Sequence, residues 1–215
     1  SLGMGVLSGL DLNFVIKTVS EGFGNTLKSI GIIIACGSII GTFLEKTGAA
    51  KSIANKLLQV IGNKNSALAM NLTGSIVSIP VFCDSGFVIL STLNNAINKK
   101  TGISLSVLGT SLAAGLYATH VFVPPTPGPL AAASIIGADV GLVLIFGLLI
   151  AIPVSIVGWV WASYYCSRFS INQKIDNDDL NIETKNNIKL TMSILPIIVP
   201  IVLITLKSII NHPGV

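Results

Sequence analysis

Long stretches without a charged side chain dominate this sequence of 215 residues. The two longest are 101–138 and 140–167, and between Lys100 and Arg168 the single formal charge is Asp139. Charged residues make up 10% of the chain, against about 25% in ordinary soluble domains. A soluble protein of this size could not cover its surface with so few charges. The sequence therefore predicts an integral membrane protein and excludes a soluble enzyme, a disordered chain and a nucleic-acid binder.

Apolar runs of helical length alternate with short polar stretches, which predicts an all-α chain with about five to six membrane segments. Because the chain begins at Ser1 and ends just after an apolar run, we expect a fragment of a longer protein. The expected elements are a span at 27–44, an interfacial helix at 48–62, a segment at 66–93, another at 103–137 and a span at 140–165.

Two of these segments contain residues that interrupt helices. Segment 66–93 is broken around Pro80 and Gly86, and segment 103–137 is broken by PPTPGP at 124–129. Non-helical backbone at membrane depth is tolerated where it is buried in protein or lines a wet cavity. Two broken elements that meet near the midplane are typical of a binding site in a secondary transporter.

The basic residues predict how segment 66–93 lies in the bilayer. If it crosses fully, Lys64 and Lys99 lie on opposite sides of the membrane. If it is a re-entrant hairpin, ten of the 13 basic residues share one side, and the positive-inside rule makes that side cytoplasmic. The second arrangement is favoured. The ten are Lys46, Lys51, Lys56, Lys64, Lys99, Lys100, Arg168, Lys174, Lys185 and Lys189, and the other three are Lys17, Lys28 and Lys207.

Asp84 lies at the tip of the predicted hairpin, where a charge costs about 2.5–3.5 kcal/mol even on the lenient insertion scale. We expect it to lie in a polar pocket and to couple protons or cations to transport. The alternative is a helix cap that accepts the amides of Gly86 or Phe87. Ser85 and Gly86 begin the second arm, where free amides could bind a substrate carboxylate. A purely structural role for Gly86 in the turn stays open.

His120 is the one histidine in the membrane region and stands next to the proline run. It is a candidate proton relay or hydrogen-bond partner of the substrate. The alternative is a neutral side chain bonded to a carbonyl that the prolines leave free. Thr119, Thr126 and Gly128 are candidate substrate ligands around the same break, although the run could also be a rigid closing loop.

Three further polar residues have structural interpretations. Asn71 and Thr73 are expected to hold helices together through hydrogen bonds, and Asp139 to cap the helix that follows it.

Three runs of this sequence resemble the gluconate permease family, whose members are bacterial inner-membrane symporters. They are GSIIGTFLEKTGAAKSIA (37–54), IPVFCDSGFVIL (79–90) and THVFVPPTPGPLAAASIIGADVGL (119–142), and the similarity covers roughly 30–165. The resemblance implies one half of an inverted-repeat transporter. The implied organisation is an N-terminal segment (1–26), a transport repeat (27–165), a cytoplasmic linker (166–187) and the first span of a second repeat (188–215).

The implied function is proton-coupled symport of gluconate or a related small hydroxy or sugar acid across the bacterial inner membrane. A D-serine or glycerate permease of the same family is the alternative. We expect no cofactor or metal, a proton or sodium ion as coupling ion, and the bilayer and a small anionic acid as partners; a homodimer is left open. An intramembrane enzyme using Asp84 and His120 is a rival, but the sequence has no HExxH or GxSxG motif.

Overall fold

Residues 2–169 and 190–210 are described by the computed structural model, and within these ranges the chain is helical with no β-strand. The all-α prediction is therefore confirmed. Most of the predicted linker falls outside the described residues. The helices are α1 (Leu2–Leu7), α2 (Leu12–Lys46), α3 (Ala49–Ile61), α4 (Ser66–Val77), α5 (Cys83–Thr101), α6 (Leu105–Phe122), α7 (Pro127–Ile136), α8 (Val140–Tyr164) and α9 (Leu190–Ile210).

Acidic caps set the start of two long helices. The Asp11 carboxylate accepts the Phe14 amide at 3.2 Å, so α2 begins well before the predicted span at 27–44. No proline follows until α2 has ended, and the helix continues through a bend of 58° between its two halves. The Asp139 carboxylate accepts the Leu142 amide at 2.9 Å, which confirms the predicted cap of α8.

Three helical segments in the described parts of the chain are long and apolar enough to cross a membrane. They are Leu105–Ile136, Val140–Arg168 and Leu190–Ser208, and the bent helix α2 makes a fourth if its halves form one span. Helix α4 has 12 residues and extends about 18 Å at 1.5 Å per residue, short of the roughly 30 Å of the hydrocarbon core. The total of five to six membrane segments stays a prediction.

Segment 66–93 folds back on itself. Helix α4 ends at Val77 and α5 begins at Cys83, so the break lies around Pro80, as the sequence predicts. Asn63, just before α4, lines the same cleft as Lys100 at the end of α5. The two helices are therefore an antiparallel hairpin whose outer ends lie together. Its depth in the membrane stays a prediction.

One end of the helix assembly is strongly basic. Hydrogen bonds from Ser106 to the carbonyls of Cys166 and Phe169 place the end of α8 beside the start of α6, next to the end of the hairpin. At the opposite end, Ser208 of α9 donates to Asp139. The described residues at the basic end include Lys46, Lys51, Lys56, Lys64, Lys99, Lys100 and Arg168.

Helices α4, α6 and α8 pack closely around a buried polar network. The Asn71 side-chain amide donates to the Ser111 carbonyl of α6 at 3.0 Å, and its oxygen accepts from Ser155 of α8 at 2.6 Å. The predicted interhelical role of Asn71 is confirmed. That of Thr73 is wrong, because its hydroxyl bonds the Ala69 carbonyl of its own helix at 2.7 Å.

Asn71→Ala should lower the free energy of unfolding by about 1–3 kcal/mol, because Ser155 and the Ser111 carbonyl lose their buried partner. Denaturant titration of the purified protein in detergent measures the change. Thr73→Val is the matched control on the same helix and should have a smaller effect. Equal losses for the two variants would show that the hydrogen bonds between helices contribute no more to stability than the bond of Thr73 within its own helix.

Candidate functional site

The two helix breaks lie against each other. Pro80 and Phe82 of the first break (78–82) line a small crevice together with Pro125 and Thr126 of the second (123–126). The Phe82 and His120 rings meet edge to face, with their centroids 6.1 Å apart. The prediction that the two breaks meet is therefore confirmed, and their contact brings the predicted histidine within electrostatic range of the predicted acid.

Small residues of α2 and α8 let these helices approach the breaks closely. A Cβ atom added at Gly41 of α2 would lie 3.1 Å from the Pro80 carbonyl oxygen. One added at Gly147 of α8 would collide with the Phe122 carbonyl. Each break thus packs against a neighbouring helix, which is the protection that non-helical backbone would need at membrane depth.

The first turn of α5 offers free amides, but not the ones expected. Gly86 already donates its amide to the Phe82 carbonyl at 2.9 Å, so the prediction that this amide is free for a substrate was wrong. The helix begins at Cys83, and the amides without an intrahelical acceptor therefore belong to residues 83–85. Gly86 has a packing role instead, because an added Cβ would lie 2.9 Å from the Leu116 side chain.

Asp84 points outward from this turn. Asp84 is exposed, so the described residues alone do not enclose it, and the polar pocket around it stays a prediction. The reason is packing: Cys83 and Gly86 face α6, which turns Asp84 and Ser85 away from it. The capping alternative fails, since Asp84 lies inside the first turn and α5 has no side-chain cap.

His120 lies within electrostatic range of the Asp84 carboxylate. The histidine is half-buried, and its Nδ1 has no hydrogen-bond partner among the described residues. Pro124 and Pro125 follow it and cannot donate to the carbonyls one turn back. An acid, a histidine and uncommitted backbone carbonyls therefore occupy one region, a combination that can hold and pass a proton.

The remaining predicted ligands divide between the interior and the surface. Thr119 is buried, and its hydroxyl bonds carbonyls of its own helix at 3.4 Å. Thr126 is buried too, and its hydroxyl donates to the Val123 carbonyl at 2.6 Å, which completes the second break. Gly128 is exposed in the first turn of α7, between two prolines that have no amide to offer. Of these three residues, Gly128 alone offers a donor on the surface.

Tyr117 belongs to this region and was missed. It is 53% exposed and lies beside Cys83, within electrostatic range of Asp84. Its position three residues before His120 places both on one face of α6. This spacing, in a helix without charged residues, was the sequence signal that could have identified Tyr117 as part of the site. We define the exposed acid face as Asp84, Ser85, Tyr117 and His120.

In the described ranges, no three His, Cys, Asp or Glu side chains cluster closely enough to hold a metal ion. The exposed acid face instead combines a carboxylate, an imidazole, a phenol and free amides. Such groups transfer protons and bind small anions.

Apolar spanning helices with two adjoining breaks define an integral membrane transport protein. The profile of the GntP family permeases matches residues 1–213, and the chain belongs to this family. The names of this family and of its members are those of permeases and not of enzymes.

Three relatives illustrate the similarity. An uncharacterized permease of Haemophilus influenzae is 38% identical over 96% of the chain and 45% of its own length. A gluconate permease of Pseudomonas aeruginosa is 34% identical over 77% of the chain and 37% of its own length. The Gnt-II system L-idonate transporter of Escherichia coli is 36% identical over 77% of the chain and 38% of its own length. The chain thus spans less than half the length of these relatives. No solved structure matches it significantly.

Proposed function

We propose that the protein carrying this chain is a secondary active transporter that moves gluconate or a related small hydroxy acid together with protons across the bacterial inner membrane. The observation that carries the proposal is the contact between the two helix breaks, which brings His120 within electrostatic range of Asp84. The names of the gluconate and L-idonate transporters among its relatives support the substrate class.

Asp84 is proposed to take up the coupling proton, with His120 as its neighbour in the relay. A carboxylate at membrane depth is costly when ionised and therefore has a strong reason to bind a proton or cation. The exposed carboxylate can exchange that proton with the transport pathway. His120 adds a group that titrates near physiological pH, with Nδ1 uncommitted among the described residues.

The substrate carboxylate is proposed to bind the amides of residues 83–85, with the Ser85 hydroxyl and the Gly128 amide as further donors. These groups stabilise an anion through hydrogen bonds, so no cationic side chain is needed. Once Asp84 is protonated, it no longer repels the substrate anion. Proton binding and substrate binding are linked in this way. Residues outside this chain would complete the cavity over the exposed acid face.

Uptake into proteoliposomes tests the proposal. The protein as its gene encodes it should accumulate labelled gluconate under an inward proton gradient and lose that accumulation when an ionophore collapses the gradient. Competition by L-idonate, glycerate and D-serine ranks the substrates. Entry that ignores the gradient would indicate a channel and contradict coupled transport.

Tyr117→Phe should lower the initial rate of uptake by about tenfold, because it removes a hydroxyl that lies beside Cys83 and within electrostatic range of Asp84. One such hydrogen-bonding group contributes on the order of 1.4 kcal/mol. The helix should be unaffected, since phenylalanine keeps the ring. Tyr164→Phe, at the end of α8, is the control and should transport like the wild type. Equal rates for both variants and the wild type would remove the phenol from the site.

A further inference from the structure

A second cavity lies outside the exposed acid face, at the basic end of the helices. This cleft has a volume of about 880 Å³ and lies between the end of α2, helix α3, the end of α5 and the start of α9. Its size is in the range of ligand pockets in proteins. Nothing in the transport proposal uses it.

The charges in this cleft are unbalanced. Among the described residues, the cleft is lined by four lysines and one acid, Glu45. The lysines are Lys46, Lys51, Lys56 and Lys100. In the described parts of the chain, none of these four lysines has a carboxylate within salt-bridge distance, and the recorded ion pair is Lys17–Glu21. Four ammonium groups from three helices surround this cleft. They attract an anion with several acceptor oxygens, such as a phosphate group.

One wall of the cleft is apolar. Ile89, Leu93 and Ile97 of α5 form a stripe below the lysines, and Leu58 of α3 faces it. Helix α3 itself buries Ala50, Ile53 and Ala54 against the core, while its lysines remain on the cleft side. A free anion would bury none of this apolar surface, whereas an acyl chain would cover it and be stabilised by the hydrophobic effect.

We propose that the cleft binds an anionic phospholipid, with its phosphate among Lys51, Lys56 and Lys100 and an acyl chain along Ile89 and Leu93. The site lies where the positive-inside rule places the cytoplasmic surface, and basic pockets between membrane helices on that side suit acidic headgroups. The inference is independent of what the protein transports.

Native mass spectrometry of the protein as its gene encodes it, released from bilayers of mixed phosphatidylglycerol and phosphatidylcholine, tests the site. The variant with Lys51, Lys56 and Lys100 each replaced by Gln should retain at least about tenfold less phosphatidylglycerol than the wild type. The control replaces Lys17, Lys28 and Lys207 by Gln, the same charge change outside the cleft, and should retain wild-type levels. Equal losses in the two variants would overturn the proposal.

Two measurements on the wild type keep the test independent of folding in the variants. Photoactivatable phosphatidylglycerol should label peptides of α3 and α5, and labelling confined to other helices would contradict the site. Excess inorganic phosphate should leave the bound lipid in place. Displacement of the lipid by phosphate alone would indicate a free-anion site and overturn the lipid assignment.

Discussion

Asp84→Asn is expected to abolish accumulation of the substrate, because asparagine cannot bind the coupling proton. One pH unit across the membrane supplies about 1.4 kcal/mol per proton, enough for about tenfold accumulation. The variant should therefore bring internal and external substrate only to equal concentration. Time courses of uptake into proteoliposomes at a fixed pH gradient measure this ratio.

Two controls separate lost coupling from lost folding. Glu21→Gln removes an exposed acid on α2 whose partner is Lys17 at 3.9 Å, and it should accumulate substrate normally. Asp84→Asn itself should still exchange labelled for unlabelled substrate, since its polar surface and the amides of α5 are unchanged. Wild-type accumulation by this variant would exclude Asp84 from the coupling mechanism.

Gly115→Ala is expected to have the largest effect on stability. Helices α4 and α6 approach so closely that a Cβ at Gly115 would collide with the Asn71 carbonyl, and one at Gly74 would lie 2.6 Å from the Leu112 carbonyl oxygen. Backbone cannot move aside as a flexible side chain can. The cost should reach the upper part of the roughly 1–3 kcal/mol typical of overpacking, or exceed it. Unfolding by denaturant in detergent measures it.

Gly109→Ala is the matched control, because Gly109 lies on the same helix with open space around it. There alanine should be neutral or stabilise by about 0.5–1 kcal/mol through its better helix propensity. A Gly115 variant as stable as the Gly109 variant would show that the two helices do not pack as described.

The sequence could predict the breaks and the cap because these features are local. Proline removes a backbone donor wherever it stands, so the break after Phe122 follows from the PPTPGP run. Asp139 directly before an apolar helix predicts a cap for the same reason. The lysine pattern predicted that Lys64 and Lys99 share one side of the membrane, and this stays a prediction. Their sequence neighbours Asn63 and Lys100 line one cleft, as that prediction requires.

The direction of individual side chains could not be predicted. Whether Asp84 faces inward depends on the residue at which α5 begins, and a start at Cys83 turns it outward. Thr73 and Asn71 differ by two positions on one helix, yet of the two only Asn71 forms hydrogen bonds to α6 and α8. Tyr117 joined the site through the packing of α5 on α6, which is a contact between distant parts of the chain. Such facts come from tertiary packing and not from periodicity.

The central claim is that α4 and α5 form a hairpin whose two outer ends lie on the cytoplasmic side, with the break between them inside the membrane. Cysteine labelling tests it in a variant without native cysteines, carrying Lys64→Cys or Lys99→Cys, with Lys207→Cys as the reference for the opposite side. A membrane-impermeant maleimide should label both hairpin positions from the cytosol and position 207 from the periplasm. Labelling of position 99 from the periplasm while position 64 is labelled from the cytosol would contradict the account.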